Sequence, residues 1–317
     1  MRLYYRLSWH GSAEEDPMLV ALEDLLAHAR ARAYALPVFE TGDLDGLHEV
    51  LEAAEAADSP VVLTPPPGLA AGRREVLLAA MEAAAKPARV PVVLYGTAIE
   101  DSATAAAAIN AGCNALELAD GADGEAVLAV ARGCGVPICA PREGEGVVCL
   151  KGDAETLPAR GALPLAVRAA TESADACRAL VDAGVALVHV KDVTPARAMA
   201  LWNAAGQAGD ARGRCRPWMP VEHLIVFNAE GITEAEAEAM MRDGRRILGA
   251  IPGVRRVFIG SAMKEDARYR YCWLVRFVHP AVIASYRDHP DHVDFADRRF
   301  RPVAGDRVSI DYRELPD

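Results

Sequence analysis

Short apolar runs of strand length alternate with longer segments of helical periodicity over the first two thirds of the chain. The strand-like runs are "YALPVFE", "PVVLTPP", "VPVVLYG", "ALELAD", "PLAVRAA" and "ALVHVKD". The helical segments between them include 43–58, 73–86, 100–111, 124–133 and 173–183. Repeated βα units predict a parallel sheet, and units of this length favour a (β/α) barrel of the TIM type over residues 1–209.

The segment between residues 137 and 152 breaks this alternation. "PICAP" and "GVVCLKG" both have strand-like patterns, yet only "REGE" separates them. A parallel crossover usually needs a dozen residues or more. We therefore expect that the two runs pair antiparallel or that one lies outside the barrel. Either outcome would leave a trimmed or degenerate barrel.

From residue 221 the order of elements changes, after a Gly-, Arg- and Pro-containing linker over 210–220. Four strand-like runs, "VEHLIVFNA", "VRRVFIGSA", "YRYCWLVRFV" and "RVSIDY", are interleaved with two helical stretches. Thr233, followed three residues later by Glu236, predicts a capping box at the start of the first helix. The order βαββαβ predicts an α+β, ferredoxin-like domain over 221–317. One apolar sheet face would stay open, so we expect a homodimer through this domain.

Charge and composition exclude several kinds of partner. The formal net charge is −11 and basic residues form no block, which argues against nucleic acid and anionic membranes. The sequence contains no apolar run of eighteen residues and no signal-peptide pattern, so we expect a cytoplasmic protein. Seven scattered cysteines without a C-x-x-C motif predict reduced, mostly buried thiols rather than a structural zinc site.

The stretch "YRDHPDHVDF" concentrates chemically active side chains on one short turn. Helical spacing places Tyr286, His289 and His292 near one face. A neutral imidazole can take a proton and return it, and a tyrosine can hold a carbonyl oxygen as charge develops. The motif can also serve only to cap and pack its helix, with His289 bonding the backbone.

Together with "VEHLIVF", "IPGV" and "IDY", this motif resembles the Dabb family of stress-responsive dimeric α/β-barrel domains across residues 221–312. The resemblance implies two sheets that face each other across a dimer. In polyketide cyclases of this family, the tyrosine and the last histidine of the pattern act in a cofactor-free aldol cyclisation. Carried over, these residues are Tyr286 and His292, and His223 on the first strand also matches.

Residues 18–63, "MLVALEDLLAHARARAYALPVFETGDLDGLHEVLEAAEAADSPVVL", resemble the opening of class II fructose-bisphosphate aldolases, which are metal-dependent barrels. The chain departs from that family where its chemistry lies. The family's Asp-His pair falls on Thr97 and Ala98, and a metal-binding histidine falls on Arg168. The phosphate loop is replaced by "AATES", which has no glycine. We therefore expect neither a catalytic metal nor a cofactor.

Lysine is rare in this chain, with four residues against thirty arginines. Lys151 and Lys191 directly follow strand-like runs, and active sites of barrels lie at the carboxyl ends of strands. A lysine there could form a Schiff base, and the alternative is a solvated strand end beside Asp153 or Asp192. Glu117 would be costly inside the barrel unless paired, and Arg168 is a candidate partner. These four residues are the candidate substrate-binding groups.

Three functions remain open at this point. The first is a metal- and cofactor-independent enzyme of aldol, lyase or cyclase type acting on a small carbonyl metabolite of specialised metabolism. Its catalytic residues would be His292, Tyr286, His223 and His289. The second is Schiff-base chemistry at Lys151 or Lys191 in the barrel. The third is a non-catalytic pseudo-aldolase that binds or scaffolds other molecules and dimerises through its C-terminal domain.

Overall fold

The computed structural model describes residues 18–154, 157, 161–170, 173–191, 193–209 and 211–315. Its N-terminal part is a closed barrel in which each strand pairs with the next in chain order. The strands are β1 (Leu36–Glu40), β2 (Val61–Thr64), β3 (Val92–Ile99), β4 (Ala115–Leu118), β5 (Ile138–Ala140), β6 (Val147–Lys151), β7 (Leu165–Ala170) and β8 (Val185–Lys191). Parallel pairing of β1 with β8 closes the barrel and confirms the predicted fold class.

Seven helices accompany these strands in the described part of the chain. They are α1 (Leu22–Arg32), α2 (Leu44–Ala56), α3 (Ala71–Ala85), α4 (Ser102–Asn110), α5 (Gly124–Cys134), α6 (Ala174–Asp182) and α7 (Pro195–Ala205). The side chains of Asp43, Asp101, Asp123 and Ser173 accept backbone N–H bonds at the starts of four of them, which fixes where those helices begin. Helix α1 was not predicted; its buried leucines pack against the apolar interior of the barrel.

The expectation for residues 137–152 is wrong, because β5 and β6 are adjacent parallel strands of a complete barrel. Strand β5 contains only three residues, so the connecting residues 141–146 return over a short distance. That return is about 10 Å, whereas six extended residues span about 20 Å. Gly146 adopts a φ of +89° at the turn into β6. The barrel lacks a helix at this connection but lacks no strand.

The remaining residues form a four-stranded antiparallel sheet, the C-terminal module (221–315). Its strands are β9 (Val221–Phe227), β10 (Val254–Ser261), β11 (Tyr271–Phe277) and β12 (Arg307–Arg313), in the order β10-β11-β9-β12. The helices are α8 (Glu234–Leu248), α9 (Val282–Arg287) and α10 (Pro290–Phe295), followed by a π-helical turn (Ala296–Phe300). Thr233 and Glu236 form the predicted capping box, and the ferredoxin-like arrangement is confirmed.

The two faces of this sheet differ in what covers them. Alternate residues of β11, including Trp273 and Phe277, are buried on the side where the helices pack. The opposite side, called here the outer sheet face, presents apolar side chains, and no helix among the described residues covers it. Its members are Leu224, Val226, Phe258, Leu274, Val308, Ile310 and Tyr312.

The barrel and the C-terminal module contact each other through specific hydrogen bonds. The Asn110 side chain at the end of α4 donates to the carbonyl of Ile251 at 3.2 Å and accepts from the N–H of Gly253 at 2.7 Å. Arg255 of β10 reaches Glu82 of α3 at 3.1 Å. These bonds couple the start of β10 to the helical shell of the barrel.

Candidate functional site

Three of the four residues predicted as catalytic meet on the helix-covered side of the sheet. The rings of Tyr286 on α9 and His292 on α10 lie 4.4 Å apart between centroids. His223, the third residue of β9, lies 6.3 Å from Tyr286 and stacks on Phe277 at 5.9 Å. The Tyr286 side chain is buried, whereas the His223 side chain is 19% exposed and His292 is half-buried. The geometry therefore brings a phenol and two imidazoles close together.

Hydrogen bonds orient both imidazoles. His223 Nδ1 lies 2.6 Å from Oδ1 of Asp311, its register partner on β12. His292 Nδ1 lies 3.0 Å from the carbonyl oxygen of Arg287. Carbonyl and carboxylate oxygens accept, so in each ring Nδ1 carries the proton. In the neutral form of each histidine, Nε2 then holds the lone pair that can accept a proton.

The surroundings of this pocket shift two pKa values in useful directions. Burial lowers the pKa of His292, and the positive charges of Arg301 and His223 lower it further. The hydrogen bond to the carbonyl of Arg287 and the negative charge of Asp297 raise the pKa and offset part of this effect. Burial raises the pKa of Tyr286 well above its usual value. At neutral pH the site therefore combines a neutral imidazole base with a neutral phenol donor.

His289 has a different environment from the other three. It is the N-cap of α10, and its Nδ1 accepts a hydrogen bond from the N–H of Asp291 at 3.2 Å. Pro290 follows at the first helical position, where its missing N–H costs nothing. This backbone contact is the capping role left open by the sequence, and a catalytic role for His289 stays a prediction.

A second polar cluster lies inside the barrel around the buried carboxylate of Glu117 on β4. His189 Nε2 on β8 is 2.7 Å from Oε2, and the Tyr95 hydroxyl on β3 is 3.3 Å from the same oxygen. Arg168 Nη2 on β7 is 3.1 Å from Oε1, and Lys151 Nζ on β6 is 3.9 Å from it. The sequence suggested the pair of Glu117 and Arg168; Tyr95 and His189 were not predicted.

Strand alternation explains how these five residues come to face inward. Each follows an apolar interior residue by two positions, so each points to the same side of its strand. The pairs are Val93 and Tyr95, Ala115 and Glu117, Cys149 and Lys151, Ala166 and Arg168, and Leu187 and His189. This offset is the signal in the sequence that could have identified Tyr95 and His189. By the same rule Lys191, exposed at the end of β8, lies on the side of His189.

The cluster keeps Glu117 ionised. Burial raises the pKa of this carboxyl, but the hydrogen bond from His189 and the charges of His189, Arg168 and Lys151 outweigh burial and bring the pKa to about 2. Lys151 also donates to the carbonyl of Leu118 at 2.8 Å and to Asp120 at 3.0 Å. A buried anion with several donors of this kind is a preorganised polar site.

The donors at this end of the barrel do not fit the metal that the resemblance to class II aldolases implies. Glu117 and His189 bond each other, and the neighbouring positions carry the cations Lys151 and Arg168. The Thr97 hydroxyl lies 3.4 Å from the hydroxyl of Thr64. In the described ranges, no three His, Cys, Asp or Glu residues converge to hold an ion. We therefore assign no step to a metal, and metal independence stays a prediction.

Part of the segment that replaces the phosphate loop, Thr171 and Glu172, lies outside the described residues.

The seven cysteines are free thiols, and five of them are buried. Among the helices that the structure describes, none has the length and apolar character needed to cross a bilayer.

Comparison with known proteins finds two family models that match separate parts of the chain. Residues 221–314 match the family described as stress responsive A/B barrel domain, or Dabb, and residues 20–121 match fructose-bisphosphate aldolase class II. Both resemblances recognised in the sequence are thereby confirmed. Neither match covers half of the chain.

Individual proteins are similar to one part of the chain or to the other. A plasmid-encoded fructose-bisphosphate aldolase of Cupriavidus necator is 34% identical over 96 residues, which cover 30% of this chain and only 28% of that relative. The YdjI aldolase of Escherichia coli is 18% identical, with a TM-score of 0.51, over 61% of this chain and 99% of that structure. A Dabb family protein from Mesorhizobium loti is 28% identical, with a TM-score of 0.29, over 31% of this chain and 98% of that one.

Proposed function

We propose that the C-terminal module is a metal- and cofactor-independent enzyme of C–C bond chemistry, of aldol, lyase or cyclase type, acting on a small carbonyl compound. The matches to aldolases and to Dabb proteins support an enzyme of aldolase or lyase type in general. The contact between Tyr286 and His292, with His223 beside them, is the observation that carries the finer proposal.

The reaction needs a base and an acid at a carbonyl and its neighbouring carbon. His292 Nε2 removes a proton from the carbon next to the carbonyl, and the electron pair moves to the carbonyl oxygen. The Tyr286 hydroxyl donates a hydrogen bond to that oxygen as its negative charge develops. The resulting enolate forms a C–C bond with a second carbonyl, whose oxygen takes the proton from His292. The proton that His292 removes is returned to the product, so the reaction needs neither a metal nor a redox cofactor.

His223 completes the site from the sheet, on β9, whereas Tyr286 and His292 come from the helices. Its Nδ1–H donates to Asp311, so its Nε2 faces away from that carboxylate toward the ring space it shares with Tyr286. In this role Nε2 of the neutral His223 ring accepts a hydrogen bond from a hydroxyl group of the substrate. Asp311 positions the ring and stabilises its positive charge when it is protonated.

Proton exchange in deuterated water tests this function and does not require the identity of the natural substrate. The full chain is incubated with a panel of small ketones and β-dicarbonyl compounds, and loss of the α-proton signal is followed by NMR. His292→Gln should lower the catalysed exchange by about 10²- to 10⁴-fold, the usual contribution of a positioned base. His48→Gln, on an exposed face of α2, is the matched control and should exchange at the wild-type rate.

Two results would refute the proposal. One is exchange in His292→Gln at the wild-type rate. The other is a His292→Gln protein that unfolds, with a circular dichroism spectrum and melting temperature unlike those of His48→Gln, because the motif would then be structural. Retained melting temperature with lost exchange supports a catalytic base.

A further inference from the structure

We propose that the carboxyl end of the barrel is a second active site, in which Lys151 forms a Schiff base with the carbonyl of a small 2-oxo acid and Arg168 binds its carboxylate. This site lies in a different part of the chain from Tyr286 and His292 and shares no residue with them. It also selects between the two barrel lysines that the sequence left as alternatives.

The first support is the position of the cluster in the fold. Its five residues come from five different strands, β3, β4, β6, β7 and β8, and each lies beyond an apolar interior residue toward the carboxyl end. That end of a (β/α) barrel is where side chains from several strands converge on one space. Apolar side chains and helix α1 fill the interior below the cluster, so its open side is the carboxyl end.

The second support is the gradient of exposure within the cluster. The Glu117 side chain is 5% exposed, Lys151 is 21% exposed and Arg168 is 49% exposed. The carboxylate therefore lies beneath the two cations, which border the opening. Arg168 pairs with Glu117 at 3.1 Å, and Lys151 on the adjacent strand lies 3.9 Å from the same oxygen while it pairs with Asp120, a 91% exposed side chain, at 3.0 Å.

The shared oxygen also indicates the class of substrate. Lys151 Nζ and Arg168 Nη2 approach Glu117 Oε1 at 3.9 and 3.1 Å, so one small molecule can touch both cations. A 2-oxo acid places a carbonyl carbon directly beside a carboxylate. Guanidinium groups bind carboxylates with two parallel N–H bonds, and Arg168 uses Nη2 for Glu117. The "AATES" segment has no glycine for a phosphate, which favours a carboxylate ligand.

The covalent step balances with the groups present. The Lys151 nitrogen, after giving up one proton, adds to the carbonyl carbon, and a C–N bond forms while the carbonyl electron pair moves to oxygen. That oxygen takes two protons, both originally on the Lys151 ammonium, and leaves as water. The product is an iminium ion whose positive charge stays on nitrogen beside Glu117. His189 and Tyr95 hold the Glu117 carboxylate in place through Oε2.

The iminium ion makes this a lyase site. It withdraws electrons from the neighbouring C–C bond, as cleavage or formation of that bond requires. Lys151 suits the role better than Lys191, because Lys151 has the carboxylate neighbours and the partial burial that stabilise and shield an iminium ion.

Reductive trapping tests the proposal on the unmodified full chain. The protein is incubated with pyruvate, treated with sodium borohydride, digested and mapped by mass spectrometry. Four lysines make the map unambiguous. We expect reduced pyruvate on Lys151, at least about tenfold more than on Lys86, Lys191 or Lys264, because Lys151 lies in the preorganised cluster around Glu117. Label on Lys191 alone, equal label on all four lysines, or no label would overturn the proposal.

Variants then separate the two recognition elements. Lys151→Arg keeps the positive charge and removes the nucleophile, so trapping should disappear, whereas the matched surface control Lys264→Arg should trap normally. Arg168→Gln should reduce trapping of pyruvate but leave trapping of the uncharged ketone dihydroxyacetone unchanged. Equal loss for both ketones would refute carboxylate binding by Arg168. If Lys151→Arg fails to fold, the positions of the trapped adduct in the wild-type protein still show whether Lys151 is the reactive lysine.

Discussion

His223 and Asp311 lie directly opposite each other on β9 and β12, and their side chains meet at 2.6 Å on the pocket side of the sheet. Because Nδ1 donates to the carboxylate, Asp311 determines which nitrogen of the neutral His223 ring carries the proton. Asp311→Ala should lower α-proton exchange about tenfold, the value of one hydrogen bond to a charged group.

Asp311→Asn keeps an oxygen acceptor and should recover part of the lost exchange. Nitrogen NMR of the His223 ring provides the second readout. It should show Nδ1 protonated in the neutral wild-type ring and mixed tautomers in Asp311→Ala. An unchanged tautomer together with unchanged exchange would mean that Asp311 has no positioning role.

The pH profile of exchange should follow His292. Burial and neighbouring positive charge lower its pKa, so the base is competent above that lowered value and protonated below it. Activity should therefore rise through a midpoint below 6.5, the usual histidine pKa, and then stay level. The raised pKa of Tyr286 predicts no alkaline loss up to about pH 10.

Tyr286→Phe should reduce exchange by about ten- to a hundredfold at every pH, because it removes one donor to the developing oxyanion. Its acid midpoint should match that of the wild type. An acid midpoint near or above 6.5 in the wild type would contradict His292 as the base.

The outer sheet face should be the surface through which two copies associate. Ile310 lies on this face at the centre of the edge strand β12 and is 41% exposed in the single chain. Ile310→Arg would place a charge between two apolar sheets, so we expect it to yield monomers. Light scattering at micromolar concentration provides the measurement.

The matched control is Val76→Arg on α3, where a single apolar side chain is 72% exposed outside the outer sheet face. This variant should keep the assembly state of the wild type. A wild-type monomer, or an Ile310→Arg protein that remains dimeric, would exclude this surface.

His279 should make folding stability sensitive to mild acid. Its ring stacks on Trp218 at 4.4 Å, and its Nδ1 accepts from the N–H of Ala281. Burial, with a contribution from the positive charge of Arg216, lowers the pKa of His279 to about 4. Between pH 6.5 and 4 the unfolded chain therefore binds a proton that the folded chain does not, and stability falls as the pH falls.

At pH 5 this group should reduce the free energy of unfolding by about 2 kcal/mol relative to pH 7.5. Urea unfolding at the two pH values measures the difference. His279→Phe keeps the stacked ring and should lose this part of the pH dependence, whereas His48→Phe on the surface should retain it. Equal pH dependence in all three proteins would show that His279 does not control acid stability.

Local pattern was sufficient for much of the fold and part of the C-terminal site. Alternation and length identified six of the eight barrel strands as barrel strands, and the spacing of Thr233 and Glu236 placed a helix start. Tyr286 and His292 are six residues apart on α9 and α10, and the short turn between these two helices brings their rings together. Interactions of this range depend on backbone conformation, which short segments of sequence specify directly.

Long-range pairing decided what the sequence left open. Closure of the barrel between β5 and β6 depended on the brevity of β5, which sequence pattern alone did not show. Tyr95 and His189 lie 94 positions apart and meet at Glu117 because the strands between them pair in a particular register. The residue types and their alternation were determined by the sequence. Which of them share a site was decided by strand register and barrel closure, because these depend on packing of the whole chain.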